Sequence, residues 1–151
     1  MTIPTIQFNF LEPVNLRDRT RLRKFLLSLF KKEGKRLGEL QYIFCSDDYL
    51  LAINRQYLDH DFYTDIITFD LSEKGQSINA EIYISVDRVR ENAREYGSAV
   101  KEELHRVIFH GALHLCGYKD KTPTQVKEMR KMEKKYLDLW NVPRGTLRGR
   151  K

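Results

Sequence analysis

Residues 110–120, HGALHLCGYKD, contain two histidines four positions apart, followed by a glycine and then an aspartate. The residues before them carry apolar side chains at helical spacing, so His110 and His114 are predicted to lie on the last turns of a helix that ends at Gly117. At about 100° per residue, the two imidazoles share one face of that helix. Glycine permits a sharp turn out of the helix, which can bring Asp120 back toward the histidines.

This pattern predicts a metal site formed by His110, His114 and Asp120. Two imidazoles one helical turn apart can direct nitrogen atoms at the same cation, and a carboxylate oxygen is an accepted third ligand. Three protein ligands with a fourth position for water are typical of a catalytic zinc site rather than a structural one. The alternative is that two ordinary histidines occupy the flank of a helix and that Asp120 belongs to the turn before the next helix.

Outside this stretch, helical and strand patterns alternate irregularly along the chain. The predicted strands are residues 5–10, 39–46, 65–71 and 79–86, and the predicted helices are residues 14–34, 46–58, 87–97, 99–117 and 122–140. Ser46 and Thr122 are predicted N-caps. Two neighbouring strands around SEKGQ suggest a hairpin. The expected fold class is therefore α+β: a single domain with a small mixed sheet packed by helices and a zincin-like metal-binding helix.

Length and composition are those of one globular domain. With 151 residues, 41% of them hydrophobic, the chain can bury one core, and residues 1–151 are interpreted as one domain with a basic tail at about 141–151. No run approaches the roughly 20 apolar residues of a membrane span, and the first residues lack the features of a signal peptide, so we expect a cytoplasmic protein. Cys45 and Cys116 are expected to be reduced, buried thiols.

The net charge of +6 is unevenly distributed. Residues 1–36 carry nine Lys/Arg and three Asp/Glu, residues 37–120 carry eight and fifteen, and residues 121–151 carry ten and three. Basic ends that flank an acidic centre can hold the phosphates of a nucleic acid. The candidate phosphate-binding residues are Arg17, Arg21, Lys127, Lys131 and Lys134, with Arg144, Arg148, Arg150 and Lys151 as an anchor in the tail. The alternative for each is a solvated helix face.

Three segments resemble the YbeY family, metal-dependent endoribonucleases of ribosomal RNA maturation. HGALHLCGYKD resembles the signature HGxLHLxGYDH, LAINRQYLDHDFYTDIITFDL is similar to LNxxYRxxDxxTDVLSF, and NAEIYIS resembles GDIxIS. The resemblance implies a single-strand-specific endoribonuclease that acts on the 3′ end of small-subunit ribosomal RNA and in ribosome quality control. It also implies one divalent metal, with Zn²⁺ preferred, and RNA and ribosomal subunits as partners.

The chain departs from the family pattern at four positions. Asp120 stands where the signature has a third histidine, and Lys119 stands where it has aspartate. Replacing histidine by a carboxylate makes the site more negative and makes harder divalent ions more acceptable. Leu58 replaces an arginine thought to contact RNA, so that role is not transferred to it, and Ala80 replaces a glycine.

The expected reaction is metal-assisted hydrolysis of an RNA phosphodiester. The sequence identifies no base for it, although Asp65 and Glu81, from the blocks that face the site in the family, are candidates that could equally be structural. One alternative is a zinc peptidase of the metzincin type, which shares the ligand spacing but needs glutamate where this chain has Gly111. A second is a non-catalytic ribosome assembly factor, in which the metal only holds the loop and the basic ends bind RNA.

Overall fold

Residues 3–142, which the computed structural model describes, contain four strands: β1 (Thr5–Phe10), β2 (Leu37–Cys45), β3 (Ile66–Asp70) and β4 (Ile78–Ser85). They form one mixed sheet in the order β1-β2-β4-β3. β1, β2 and β4 run parallel to one another, and β3 is antiparallel to β4. The predicted hairpin is confirmed, because β3 and β4 follow each other in the chain and pair directly.

Five helices accompany the sheet in the same residues: α1 (Arg19–Lys32), α2 (Asp47–Leu58), α3 (Val86–Tyr96), α4 (Val100–Leu115) and α5 (Pro123–Trp140). Two predicted caps are confirmed. The Ser46 hydroxyl accepts a hydrogen bond from the Tyr49 amide at 3.1 Å, and Thr122 forms a capping box with Gln125. These caps fix where α2 and α5 begin.

Two predicted boundaries are wrong. Helix α1 begins at Arg19 rather than at residue 14, and Asp18 before it has a left-handed backbone with φ 54°, which no residue of an α-helix adopts. Val86 begins α3 instead of ending β4, because the Ser85 hydroxyl accepts a hydrogen bond from the Arg88 amide at 3.1 Å and caps the helix there. Both errors concern helix starts, which the apolar pattern alone does not define.

Helix α4 lies at the centre of the fold. Leu104 and Ile108 are fully buried and, with the largely buried Leu115, form the predicted apolar stripe. Gly111 lies so close to the sheet that a Cβ atom added there would be 2.9 Å from Cδ1 of Ile82 in β4. This direct contact between helix and sheet places the C-terminal turns of α4 beside strand β3 and confirms the predicted α+β arrangement.

Several other expectations have an outcome in the structure. Cys45 and Cys116 are buried free thiols, as predicted. Among residues 3–142, no helix has the length and apolarity needed to span a bilayer. The predicted tail lies outside the described residues from position 143 onward, and with it the tail anchor of Arg144, Arg148, Arg150 and Lys151.

Candidate metal centre

The turn after α4 brings the three predicted metal ligands together. Gly117 has φ +106°, which favours glycine, and the chain then folds back toward the helix. Asp120 Oδ2 lies 3.3 Å from Nε2 of His110 and 3.2 Å from Nε2 of His114, and one donor atom of each residue lies within 4.8 Å of the others. Tetrahedral donors about 2.1 Å from a zinc ion are about 3.4 Å apart. The three donors therefore fit one divalent ion.

Each histidine is held at its other ring nitrogen by a hydrogen-bond acceptor. Nδ1 of His110 lies 2.5 Å from Glu133 Oε2, and Nδ1 of His114 lies 2.9 Å from the carbonyl oxygen of Tyr118. Because both partners accept, we assign the hydrogen of each ring to Nδ1, which leaves the Nε2 lone pair directed at Asp120. A carboxylate or carbonyl behind a ligating histidine is the usual arrangement of metal sites.

Glu133 of α5 belongs to a buried charged network that the sequence did not predict. Only 3% of the side chain is exposed, and its carboxylate also accepts a hydrogen bond from Arg106 at 3.0 Å. Arg106 is held in turn by Glu103, at 2.6 and 2.9 Å. Burial acts to raise the pKa of Glu133, but the hydrogen bond from His110 and the charge of Arg106 outweigh it and hold the pKa below its usual value. Glu133 is therefore an anion suited to orient His110.

Arg106 and Glu133 differ in how strongly the sequence indicates them. Arg106 lies one helical turn before His110, so the spacing of four that relates His110 to His114 could have indicated it. Glu133 comes from another helix and is flanked by the buried Met129, Met132 and Tyr136 on the core face of α5. Its position on a buried helix face is the only indication in the sequence that Glu133 has a charged partner, because buried carboxylates need one.

The candidate metal centre opens into a cavity of about 590 Å³. Besides the three predicted ligands, its lining includes the charged residues Asp65, Arg106 and Arg130 and, from the end of α2 and the loop after it, Leu58, His60 and Phe62. A volume of this size is typical of sites that bind small molecules or parts of larger ligands. The cavity combines a possible cation site with two guanidinium groups and a partly apolar wall.

Asp65, one of the two candidate bases, lies in this cavity. Its side chain is 25% exposed, its Oδ2 lies 3.9 Å from Nη2 of Arg106, and it accepts a hydrogen bond from Asn92 Nδ2 at 3.4 Å. Burial raises the pKa of Asp65 above its usual value, although Arg106 and His110 oppose the shift. Asp65 therefore lies in the cavity beside the candidate ligands, where a general base would be needed.

Glu81, the other candidate base, is on the wrong side of the sheet. Neighbouring side chains of a strand point to opposite faces, and Ile82 is the residue of β4 that contacts Gly111 of α4. Glu81 therefore lies on the α2 side, where it accepts a hydrogen bond from Tyr83 at 3.1 Å, and it is not among the described residues that line the cavity. We correct this assignment and retain Asp65 alone.

The structure separates the five candidate phosphate-binding residues from the cavity. Arg21 stacks on the Trp140 ring at 3.7 Å and donates to the Trp140 carbonyl, and Arg17 lies near it by the first turn of α4, at the end opposite His114. Lys127, Lys131 and Lys134 are exposed on the outer side of α5, where Lys134 pairs with Asp138 at 2.9 Å. Of the basic residues on α5, it is Arg130 that lines the cavity.

A small mixed sheet and a central helix that presents two histidines to a carboxylate returning after a glycine turn define a zincin-like class of metal-centre fold. Comparison with known proteins narrows this class. The family model described as Endoribonuclease YbeY matches residues 12–141. The chain belongs to the YbeY family.

Individual relatives agree with the family model. A Cytophaga hutchinsonii protein named Endoribonuclease YbeY is 55% identical over 124 residues, covering 82% of this chain and 87% of the relative. A protein of the same name from Flavobacterium psychrophilum is 47% identical over 137 residues, covering 91% and 97%. The solution structure of TM1509 from Thermotoga maritima superposes with a TM-score of 0.63 at 33% identity, covering 89% of this chain and 87% of that one. The resemblance noted in the sequence is thus confirmed.

The metzincin-type peptidase is not favoured by these comparisons, and the packing of α4 gives a physical reason. The residue after His110 is Gly111, whose added Cβ would be 2.9 Å from Ile82 and 3.0 Å from Ile66. A glutamate at this position would have to displace these side chains of the sheet. The fold therefore does not accommodate, at position 111, the glutamate that such a peptidase uses as its base.

Proposed function

We propose that this protein is a metal-dependent endoribonuclease that hydrolyses phosphodiester bonds of single-stranded RNA. The name shared by its relatives supports this function, and one observation carries it. Nε2 of His110 and Nε2 of His114 converge on Asp120 while both Nδ1 atoms are held by acceptors. An arrangement with both histidine tautomers fixed toward one point is built for a cation rather than for packing.

One divalent ion, with Zn²⁺ preferred, is held by His110, His114 and Asp120 in this proposal. Two nitrogen donors and one oxygen donor are a set of the kind that would hold a catalytic zinc ion. When bound at these residues, such an ion would supply Lewis acidity toward a phosphate oxygen and toward water. The carboxylate of Asp120 also makes Mn²⁺ and Mg²⁺ more acceptable than an all-histidine set would.

Three further charged residues of the cavity receive distinct roles. Asp65 accepts the proton of the attacking water, since it combines a raised pKa with a position beside the ligands. Arg106 is 16% exposed and bound by two carboxylates, so it positions Glu133 and through it His110. Arg130 is 55% exposed and, among the described residues, forms one ion pair, to Glu133 at 3.1 Å, which leaves other N–H groups of its guanidinium for a substrate phosphate.

The RNA in this proposal is ribosomal RNA near the 3′ end of the small subunit, presented by ribosomal subunits. The strongly basic composition, net charge +6, suits a polyanionic partner. Lys127, Lys131 and Lys134 contribute sequence-independent attraction along the outer side of α5. Arg17, Arg21 and the tail anchor remain predicted phosphate contacts at a distance from the cavity.

Metal analysis combined with RNA cleavage tests the proposal. We expect about one equivalent of divalent metal per chain in the purified protein, and loss of both metal and cleavage in His110→Ala and His114→Ala. Lys119→Ala, an exposed neighbour of Asp120, is the matched control and should retain both. Full metal content in both histidine variants would reject the site.

The same variants separate a nuclease from the non-catalytic assembly factor. A nuclease loses cleavage and cellular function together when the ligands are removed. An assembly factor would keep RNA affinity and cellular function in a folded, metal-free variant. If folded His114→Ala protein kept its cellular function, that function would depend on RNA binding by the basic surfaces and not on the metal centre.

A further inference from the structure

The loop between α2 and β3 carries an aromatic pair, His60 and Phe62, at the wall of the cavity that contains the candidate metal centre. We propose that this pair is a stacking site for an unpaired nucleobase of the RNA next to the bond that is cleaved. The proposal rests on the proposed function and names a substrate-binding element of the same cavity. It would explain in physical terms how the protein selects single-stranded RNA.

The two rings already form a stacking platform. Their centroids lie 5.0 Å apart with an interplanar angle of 22°, which is an offset stack. Phe62 still exposes 55% of its surface, although His60 covers part of it. Aromatic faces are the surface on which bases of single strands stack, so the uncovered part of the Phe62 ring is available to a base.

The loop is held in place by a buried polar contact. Asn54 in α2 is only 2% exposed, yet its side-chain amide donates to the carbonyl oxygen of Phe62 at 2.9 Å. The amide of His60 donates to the Asn54 carbonyl at 3.1 Å, and Arg55 pairs with Asp61 between them. Both ends of the aromatic pair are thus tied to α2, which reduces the entropy lost when a ligand binds.

The surroundings favour a nucleobase over an apolar peptide. The cavity that the rings border also contains the guanidinium of Arg130 and the three candidate metal ligands. A nucleotide presents a flat π face and an anionic phosphate close together, so the aromatic wall and the cationic groups can hold one ligand at the same time. Bases in a duplex are paired and stacked on both sides, so they cannot use the platform without being extruded.

Stopped-flow fluorescence anisotropy, which reads binding before hydrolysis, tests the site with the purified protein and an unstructured RNA oligonucleotide. Stacking of one base is worth about 1–3 kcal/mol, so Phe62→Ala should weaken binding by about 5- to 150-fold. Phe62→Trp should retain binding because it keeps an aromatic face. Phe62→Leu keeps an apolar side chain without a ring and should bind as weakly as Phe62→Ala.

Two controls tie the effect to stacking in the cavity. Tyr57→Ala removes a ring that is 64% exposed and only five residues away but does not line the cavity, so binding should not change. An oligonucleotide with one abasic position, moved along the strand, should lose the same affinity at a single position. At that position Phe62→Ala should cause no further loss, as expected when both changes remove one interaction.

The outcomes separate this proposal from the proposed function. If the wild-type protein binds and cleaves the RNA but Phe62→Ala does so equally well, the stacking site is rejected and the nuclease stands. Equal losses in Phe62→Ala and Tyr57→Ala would also overturn it, because general loop damage would then explain both. If the wild-type protein neither binds nor cleaves single-stranded RNA, the proposed function fails, and the stacking site fails with it.

Discussion

At the scale of single residues, the candidate metal centre depends on charges that are buried behind it. Arg106, Glu103 and Glu133 are 16%, 3% and 3% exposed in their side chains, and removing such groups from water costs several kcal/mol per ion before pairing offsets it. Because the cost of desolvation offsets the attraction between the charges, such a network contributes little to the net stability of the fold. Its contact with Nδ1 of His110 indicates instead that it serves to fix the orientation and tautomer of a candidate metal ligand.

Asp120 is the residue whose identity sets this chain apart from the signature it resembles. Asp120→Ala leaves two histidines, so metal affinity should fall by more than the about 10- to 100-fold that loss of an outer-shell partner costs. Asp120→His should retain metal and shift selectivity toward Zn²⁺ and away from Mn²⁺ or Mg²⁺, because a neutral nitrogen replaces a hard anionic oxygen. Competition between the metals, with circular dichroism to verify the fold, measures both effects.

The opposite forecast follows if Asp120 only belongs to the turn before the Thr122 cap. Both substitutions would then leave metal content and selectivity alone and change stability by about 1 kcal/mol at most, as for a lost local hydrogen bond. Unaltered metal content in folded Asp120→Ala protein would remove Asp120 from the ligand set.

At the scale of elements, helix α4 presents three faces with different surroundings. Gly111 contacts the sheet, His110 and His114 face the cavity, and His105 is buried with its ring 5.0 Å from Trp140 of α5. The absence of a side chain at Gly111 allows the close helix–sheet approach, which sets the depth at which the two histidines enter the cavity. The positions of His110 and His114 in the cavity therefore depend on how the core packs behind α4.

The elements were predictable where the pattern is local. The histidine pair, the Gly117 turn and the Ser46 and Thr122 caps all depend on residues within a few positions of one another. Strand parity could also have excluded Glu81, since Ala80 and Ile82 are the apolar neighbours that must face the core. The contacts of Glu133 with His110 and of Asn54 with Phe62 could not be predicted, because they depend on how separate parts of the chain pack together.

His105 should make the α4–α5 contact sensitive to acid. Burial, with smaller effects from Lys101 and Arg21, lowers its pKa to about 4, and its Nε2 has no hydrogen-bond partner among the described residues. The unfolded chain takes up a proton near the usual pKa of about 6.5, but the folded chain does so only near 4, so stability falls as the pH drops through this interval. At about pH 5 the loss should be about 2 kcal/mol.

Urea unfolding near pH 7 and near pH 5 measures this effect. His105→Leu keeps an apolar side chain in the contact and cannot be protonated, so its stability should differ between the two pH values by about 2 kcal/mol less than that of the wild type. All other residues are the same in the two proteins, so their contributions cancel from the comparison. Identical pH dependence in the two proteins would mean that the fold does not lower the pKa of His105.

At the scale of the whole molecule, the basic residues fall into groups with different access to RNA. Arg130 lies in the cavity, whereas Lys127, Lys131 and Lys134 lie on the outer side of α5, and Arg21 already contacts Trp140. The charge segregation along the sequence predicted that α5 would be basic. It could not distinguish the one α5 residue that faces the cavity from its neighbours, because that depends on how α5 packs against α4.

This division gives two expected effects on RNA binding and cleavage. Each phosphate contact of a single strand contributes about −0.7 to the slope of log affinity against log salt. Neutralising Lys127, Lys131 and Lys134 together should make the slope shallower by about 2 while the rate of cleavage at saturating RNA is unchanged. Arg130→Gln should make the slope shallower by only about 0.7 but should also lower the cleavage rate, because the phosphate that Arg130 contacts lies at the reacting site.

A double variant with Lys74→Gln and Arg94→Gln is the control. It lowers the net charge without changing Arg130 or the three lysines of α5, and it should leave the slope nearly unchanged. If it flattened the slope as much as the triple lysine variant does, the lysines of α5 would act only through the net charge of the protein, and α5 would be an ordinary solvated helix face.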